Sequence, residues 1–102
     1  MEFRQSGGLR YGHDAARLLH YPAQLRVNER DLALRIGIWS RSPVSFRFAR
    51  KEIARVLRVE LFGGGWVAIE HSCALYPPLI YFNTEDFDQL RSALLRFGYK
   101  LA

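Results

Sequence analysis

One short segment of the sequence combines residue types that bind metals or act as nucleophiles. Residues 70–73 have the order Glu-His-Ser-Cys. On a β-strand, His71 and Cys73 would point to the same side, where an imidazole and a thiolate can bind a metal ion or form a nucleophilic pair. The alternative is an inert buried thiol beside a partly exposed histidine. We favour it, and expect no metal and no cofactor, because no third ligand, second acid or oxyanion-stabilising group is recognisable nearby.

Other catalytic patterns are not recognisable in the sequence either. There is no Ser-His-Asp order, no pair of glycosidase carboxylates and no glycine-rich dinucleotide fingerprint. The glycines at positions 63–65 are not followed by the lysine and hydroxyl of a P-loop. A chain of 102 residues also leaves little room for a deep cleft. The sequence therefore predicts a domain that is not an enzyme.

Arginine dominates the charge of the chain. There are 15 basic and 10 acidic residues, which give a net charge of +5. Two of the basic residues are lysines, so nearly all of them are arginines. Arginine presents a planar fork of donors to phosphate, so an arginine-rich sheet face could bind nucleic acid or an anionic lipid surface. The alternative is the ordinary solvated face of a half-buried sheet. The candidate polyanion-binding residues share the polar register of successive predicted strands: Arg26, Arg35, Arg47 and Arg58.

Two tryptophans are candidate aromatic contacts for a ligand. Trp39 follows an alternating apolar stretch, and Trp66 follows the three glycines. In nucleic-acid-binding proteins, aromatic rings between arginines stack on bases. In a small sheet, aromatic rings more often belong to the core or its rim. We therefore expect this domain to bind a protein partner and consider nucleic-acid binding the weaker hypothesis.

Length and composition predict one folded domain. The 102 residues are 49% hydrophobic, and no apolar run approaches the roughly 20 residues of a membrane helix. With Cys73 as the single cysteine, no internal disulfide can form, and no apolar targeting segment begins the sequence. We expect a cytoplasmic protein with no transmembrane segment, able to contact the inner face of the membrane peripherally.

Most of the chain has the period-two alternation of half-buried β-strands. Residues 1–22 are expected to form a tail, in which a short helix could begin at Asp14 and end before Pro22. Residues 23–102 are expected to form the domain, with a tight turn at the glycines 63–65. The predicted strands lie near residues 25–27, 32–38, 44–48, 57–61, 66–71 and 79–83.

The last element is predicted to be an amphipathic helix. Thr84 is a candidate N-cap, and Gly98 stands where a left-handed C-terminal cap belongs. The apolar stripe consists of Phe87, Leu90, Leu94 and Phe97. Such a helix would cover one face of the antiparallel sheet.

The order of these elements resembles that of a bacterial pleckstrin-homology-like (PH-like) domain over residues 24–101. The similar segments are LRVNERDLALRIG, FRFARKEIARVLRVE, GGGWVAIEH and PPLIYFNTEDFDQLRSALLRFGY. The resemblance implies an α+β, mainly β fold: an antiparallel, partly open barrel or sandwich of six to seven strands capped by one C-terminal amphipathic helix.

The resemblance also implies a non-catalytic binding or adaptor module that recognises a protein, a peptide or itself, so a homodimer is an expected form. Lipid-binding members of the family carry basic residues in the turn between the first two strands. Here residues 28–31 contain two acids and one arginine. The alternative function, binding of anionic lipid headgroups or nucleic acid, would therefore use the arginine-rich sheet face instead.

Overall fold

The chain folds into one curled antiparallel sheet, a half-barrel, with a helix at its C-terminal end, in a computed structural model that describes residues 1–37 and 44–102. The predicted mainly β fold with one C-terminal helix is confirmed. Trp39 lies outside the described residues. The elements are β1 (Phe3–Gly12), β2 (Leu19–Val27), β3 (Asp31–Ile36), β4 (Val44–Ala49), a 3-10 helix (Arg50–Glu52), β5 (Ile53–Leu61), β6 (Gly64–His71), β7 (Leu79–Asn83) and α1 (Phe87–Arg96).

The N-terminal residues form the central strand, which corrects the expectation of a tail with a short helix. The strand order is β4-β3-β2-β1-β7-β6-β5, so β1 pairs with both β2 and β7. Gly7 permits this pairing, because a Cβ atom there would lie 1.9 Å from the backbone oxygen of Asn83. Asp14 starts a turn instead of a helix, and its carboxylate accepts a hydrogen bond from the backbone N–H of Ala16 at 3.0 Å.

The core lies between α1 and the sheet face turned toward it, which we call the inner face; the opposite face is the outer face. Fully buried residues on this side include Leu9, Phe82 and Leu94. The N-cap of α1 is Asp86 instead of the predicted Thr84, and its side chain accepts a hydrogen bond from the N–H of Gln89. Gly98 forms the predicted C-terminal cap with a φ of 87°.

The turn between β5 and β6 lies one residue earlier than the three glycines suggest. Phe62 and Gly63 have φ values of 55° and 76°, and Gly64 and Gly65 belong to β6. Two consecutive positive φ angles are those of the type I′ turn that joins tight hairpins. A phenylalanine rarely adopts this conformation, so packing of its ring must offset the backbone cost.

Strand β5 faces the opposite way from the prediction. The register shifts between Ile53 and Arg55, and beyond that point Val56 pairs with the buried Ile69. Alternation then directs Arg58 toward the inner face. The apolar residues Leu57, Val59 and Leu61, expected in the core, lie on the outer face instead.

Candidate anion-binding site

Three of the four predicted arginines lie together on the outer face. Arg26 pairs with Ala33, which pairs in turn with Arg47 on the far side. Arg35 follows on the same face of β3, two residues beyond Ala33. Arg4, which the sequence analysis did not single out, stands opposite Arg26 on the neighbouring strand. Because alanine is the smallest side chain in this group, the surface is lowest where the arginines surround it.

The result is a shallow concavity of about 310 Å³, which we call the arginine pocket. Besides the guanidinium groups, it offers an amide and a hydroxyl that can hydrogen-bond a ligand. Its lining residues are Arg4, Gln24, Arg26, Ala33, Arg35, Ser45 and Arg47.

Asp31 holds two of these arginines in place. Its Oδ2 atom accepts a hydrogen bond from Arg47 Nε at 2.7 Å, and its Oδ1 atom lies 3.2 Å from Arg26 Nη1. The carboxylate is only 10% exposed, and the backbone N–H of Asp31 donates to the side chain of Asn28. The β2–β3 turn therefore fixes a buried acid beneath two arginines, and that acid reduces their net charge.

Glu2 pairs with Arg4 in the same way at the edge of the pocket, and it lies 3.6 Å from Arg26 Nη1. The hydrogen bond from Arg4 lowers the pKa of Glu2 below its usual value. With four arginines and two acids, the pocket keeps a net charge of about +2 at neutral pH. Arg35 is exposed, and no described acidic residue forms an ion pair with it.

The chemistry available in the pocket is binding. Guanidinium groups donate hydrogen bonds and carry charge at any physiological pH, but they do not act as nucleophiles or general bases there. The arginines held by Asp31 are already ordered, so less side-chain entropy is lost when they bind an anion. A carboxylate or phosphate group is the ligand chemistry that fits them.

Arg58 is separate from the other predicted site residues. Its guanidinium carbon lies 5.1 Å from the centre of the Phe87 ring, beside α1, and its Nε lies 4.0 Å from Glu60. The register shift in β5 places it on the inner-face side at the opposite edge of the sheet. The expectation of one face with four arginines is therefore wrong for Arg58.

Trp66 is not an accessible stacking surface. It is 6% exposed and is covered by the Phe62 ring, whose centre lies 5.4 Å from its own. The guanidinium of Arg10 lies 4.1 Å from the Phe62 ring centre and 5.2 Å from that of Trp66. Within the described residues, no aromatic side chain lines the arginine pocket.

The Glu-His-Ser-Cys segment orders a loop. His71 Nδ1 accepts a hydrogen bond from the backbone N–H of Cys73 at 3.0 Å, and His71 Nε2 lies 2.9 Å from the carbonyl oxygen of Pro77. This pattern assigns the proton to Nε2, which donates to that carbonyl. Both ring nitrogens are thus occupied by backbone groups. Among residues 1–37 and 44–102, no group of three or more metal-ligating side chains is found.

A second shallow concavity, of about 330 Å³, lies at the C-terminal end of α1. Arg50 and Lys51 are among its lining residues, but Arg50 Nη1 donates a hydrogen bond to the carbonyl oxygen of Phe97 at 3.0 Å. This arginine therefore satisfies a backbone group at the helix end. The arginine pocket is the better candidate because no group in the described part of the chain engages Arg35 in this way.

The fold is similar to that of several solved structures. One is SsgB, for which mutations correlate with longitudinal cell division during sporulation of Streptomyces coelicolor; it is 20% identical with a TM-score of 0.56, over 95% of this chain and 86% of that chain. Another is an SsgA-like sporulation-specific cell division protein from Thermobifida fusca YX-ER1, 15% identical with a TM-score of 0.51, over 95% of this chain and 80% of that chain. The chain matches no protein-family model and no curated protein.

These likenesses show a shared fold, a curled antiparallel sheet in SsgA-like proteins. They do not confirm the PH-like relationship, which stays a prediction. Among the described helices, none is long and apolar enough to span a membrane.

Proposed function

We propose that this domain is a non-catalytic protein-binding module whose arginine pocket holds an acidic segment of a partner protein. The observation that carries the proposal is the cluster of Arg4, Arg26, Arg35 and Arg47 around the low point at Ala33. Carboxylate side chains of the partner would accept paired hydrogen bonds from these guanidinium groups. Arg35 is the central contact because no described acid competes for it.

The composition of the pocket favours an acidic protein segment over nucleic acid. Asp31 and Glu2 reduce its charge to about +2, whereas nucleic-acid binding draws on many phosphate contacts. Among residues 1–37 and 44–102, no exposed ring on which a base could stack lines the pocket, and Trp66 is buried elsewhere. A few carboxylates in an extended peptide match a small, shallow site with mixed hydrogen-bond donors.

The comparisons support a non-catalytic role. Two of the solved structures that share this fold are of proteins linked to sporulation and cell division. Seven strands followed by one helix also match the element order of PH-like domains, which are typically non-catalytic binding modules. Both considerations favour a binding module over an enzyme.

The test measures binding of three fluorescent or sedimentable probes at low and high salt: a labelled polyglutamate peptide, a labelled single-stranded DNA, and vesicles containing phosphatidylglycerol. We expect the peptide to bind with an affinity that falls as salt rises. Arg35→Glu should weaken this binding by about tenfold or more, because it replaces a charged donor by a repelling acid.

Arg91→Glu is the matched control, since it makes the same charge change at an exposed position of α1. It should leave peptide binding unchanged. An equal loss of peptide affinity in both variants would mean that the overall charge of the protein causes the binding, which would contradict the proposal. Binding of DNA or vesicles without binding of the peptide would replace the acidic segment by a polyanion as the ligand of the pocket.

A further inference from the structure

The edge of β5 that faces away from β6 has no partner strand among the described residues from Leu57 to Leu61. β5 is the last strand of the sheet, and its other edge pairs with β6. On the open side, the backbone of Val56 bonds to the C-terminal residues: its N–H donates to the Lys100 carbonyl, and its carbonyl accepts from the Ala102 N–H. Beyond Val56, no strand among the described residues pairs with this edge.

The direction of the free backbone groups follows from those bonds. In an antiparallel ladder, every second residue turns its N–H and C=O toward the same neighbour. Val56 points its N–H and C=O groups away from β6, toward the open edge. Arg58 and Glu60 therefore point their N–H and C=O groups toward the open edge as well. Leu57, Val59 and Leu61 bond inward to β6, which agrees with the Leu61 and Gly64 pair that closes the hairpin turn.

We propose that two copies of this chain associate by antiparallel pairing of their β5 edges, residues 57–61, about a two-fold axis at Val59. In this register Arg58 pairs with the partner's Glu60, and Glu60 pairs with the partner's Arg58. Both residues have outward N–H and C=O groups, so the two pairs exchange four backbone hydrogen bonds. Val59 faces the partner's Val59 in the pair without hydrogen bonds on the axis.

Charge is complementary across this interface. Arg58 and Glu60 lie on the same face of the strand, with side chains 57% and 74% exposed. A two-fold axis brings each arginine opposite a glutamate twice, and opposite charges that face each other across strands are stabilising. Because the strand is complementary in charge to itself in this register, a second copy fits the edge better than an unrelated strand.

On the outer face of the paired β5 strands, the side chains that meet are apolar. Leu57 meets the partner's Leu61, Val59 meets its own counterpart, and Leu61 meets the partner's Leu57. Leu61 is 37% exposed in the single chain, and Leu57 and Val59 are partly exposed. The pairing would remove this apolar surface from water and end an open strand edge.

The same geometry limits the extent of the interface. The C-terminal segment occupies the edge at Val56, and the turn at Phe62 ends the strand. In β5, the stretch left free to pair is therefore residues 57–61, so we expect a weak dimer whose population rises with concentration.

The first experiment uses charge exchange. Sedimentation equilibrium up to millimolar protein should show a monomer–dimer equilibrium for the wild type. Arg58→Glu and Glu60→Arg should each weaken dimerisation by about tenfold or more, because like charges then face each other twice. A mixture of the two variants should form a heterodimer, since both acids of one variant then face the two arginines of the other. The Arg58→Glu plus Glu60→Arg double variant should dimerise like the wild type.

These outcomes separate the interface from folding, because the mixture contains no protein that dimerises alone. A wild type that stays monomeric to millimolar concentration would overturn the proposal. So would two single variants that remain folded, by circular dichroism, but fail to associate when mixed.

The second experiment tests the register with cysteines in a Cys73→Ala background. Val59→Cys should form a disulfide-linked dimer under mild oxidation, because opposed Cβ atoms in such a pair lie about 4.5–5.5 Å apart. Leu57→Cys is the matched control: its two copies lie about 13 Å apart in this register and should not crosslink. Leu57→Cys mixed with Leu61→Cys should crosslink. Equal crosslinking of Val59→Cys and Leu57→Cys would contradict the register.

Discussion

The outer face of the sheet has two regions that use arginine in opposite ways. On β1 to β4, the arginines of the pocket reach into solvent and two of them bind the buried carboxylate of Asp31. Near β1, β6 and the β5–β6 turn, the guanidinium of Arg10 lies over the rings of Phe62 and Trp66, and its Nε is buried with no hydrogen-bond partner among the described atoms. The first arrangement leaves charge available to a ligand, and the second uses an arginine as packing over aromatic rings.

The neighbours of an arginine therefore decide its role, and its place on an alternating strand does not. Phe62 has a strained positive φ, and the contacts that offset it come from Arg10, Trp66 and Tyr81. No described aromatic ring packs against Arg35 in a comparable way. Removal of side chains from the two regions should therefore affect different properties of the protein.

The largest expected effect is loss of stability in the aromatic region. Trp66→Ala should lower the free energy of unfolding by about 3–5 kcal/mol, because it leaves a cavity beneath Phe62 and Arg10. Arg35→Ala in the arginine pocket should change it by less than about 0.5 kcal/mol. Urea denaturation of both variants checks this, and a similar loss in the two would erase the distinction between the regions.

An intermediate effect is expected for the acid beneath the arginine pocket. Asp31→Asn should cost about 1–3 kcal/mol of stability, because Arg26 and Arg47 lose their charged partner. The same change raises the net charge of the pocket, so polyglutamate should bind more tightly even though the protein is less stable. Thermal unfolding and peptide titration of one preparation measure both effects. Weaker peptide binding would show that the order imposed by Asp31 matters more than charge.

The smallest effect concerns Tyr99, whose hydroxyl donates a hydrogen bond to the Asn28 carbonyl in the turn that carries Asp31. Burial, with a further contribution from the charge of Asp31, raises the pKa of Tyr99 from 10.0 to about 12. The folded state thus favours the neutral phenol more than the unfolded chain does. The resulting stability is complete below about pH 10 and is lost as the pH rises through about 12.

Tyr99→Phe should therefore cost roughly 1 kcal/mol near neutral pH, for the lost hydrogen bond. The difference in stability between the variant and the wild type should shrink as the pH rises above 10. Chemical denaturation at a series of pH values measures this difference. A constant difference across the alkaline range would mean that the pKa of Tyr99 is not raised by folding.

Much of the fold was predictable because its patterns are local. The alternation around Leu32 and Leu34, the helix with Leu90 and Leu94, and its cap at Gly98 each follow from residues near one another in sequence. The pairing partner of a strand is not local. Gly7 looks like a residue that breaks structure, and only the close approach of Asn83 shows why a glycine belongs in the central strand.

The candidate site was predictable only in part for the same reason. Arg26, Arg35 and Arg47 lie on consecutive strands, so their alternation places them correctly on one face. Arg4 lies beside these three arginines because β1, a strand that the sequence pattern did not reveal, pairs with β2. Arg58 lies apart from them because the register of β5 shifts by one residue. A single shift reverses the face of every later side chain in a strand, and no local signal at residues 53–55 announces it.

The position of β1 also has a consequence for synthesis of the chain. Residues 3–12 leave the ribosome before the other strands of this sheet, and their partner on one side follows soon after in β2. The partner on the other side is β7, so Gly8 cannot pair with Asn83 until most of the domain has been made. Contacts so distant in sequence slow folding. During translation, β1 is therefore an edge strand until β7 has been made. The half-barrel is completed late, so a chaperone acting on the nascent chain would have to protect the free edge of β1 until then.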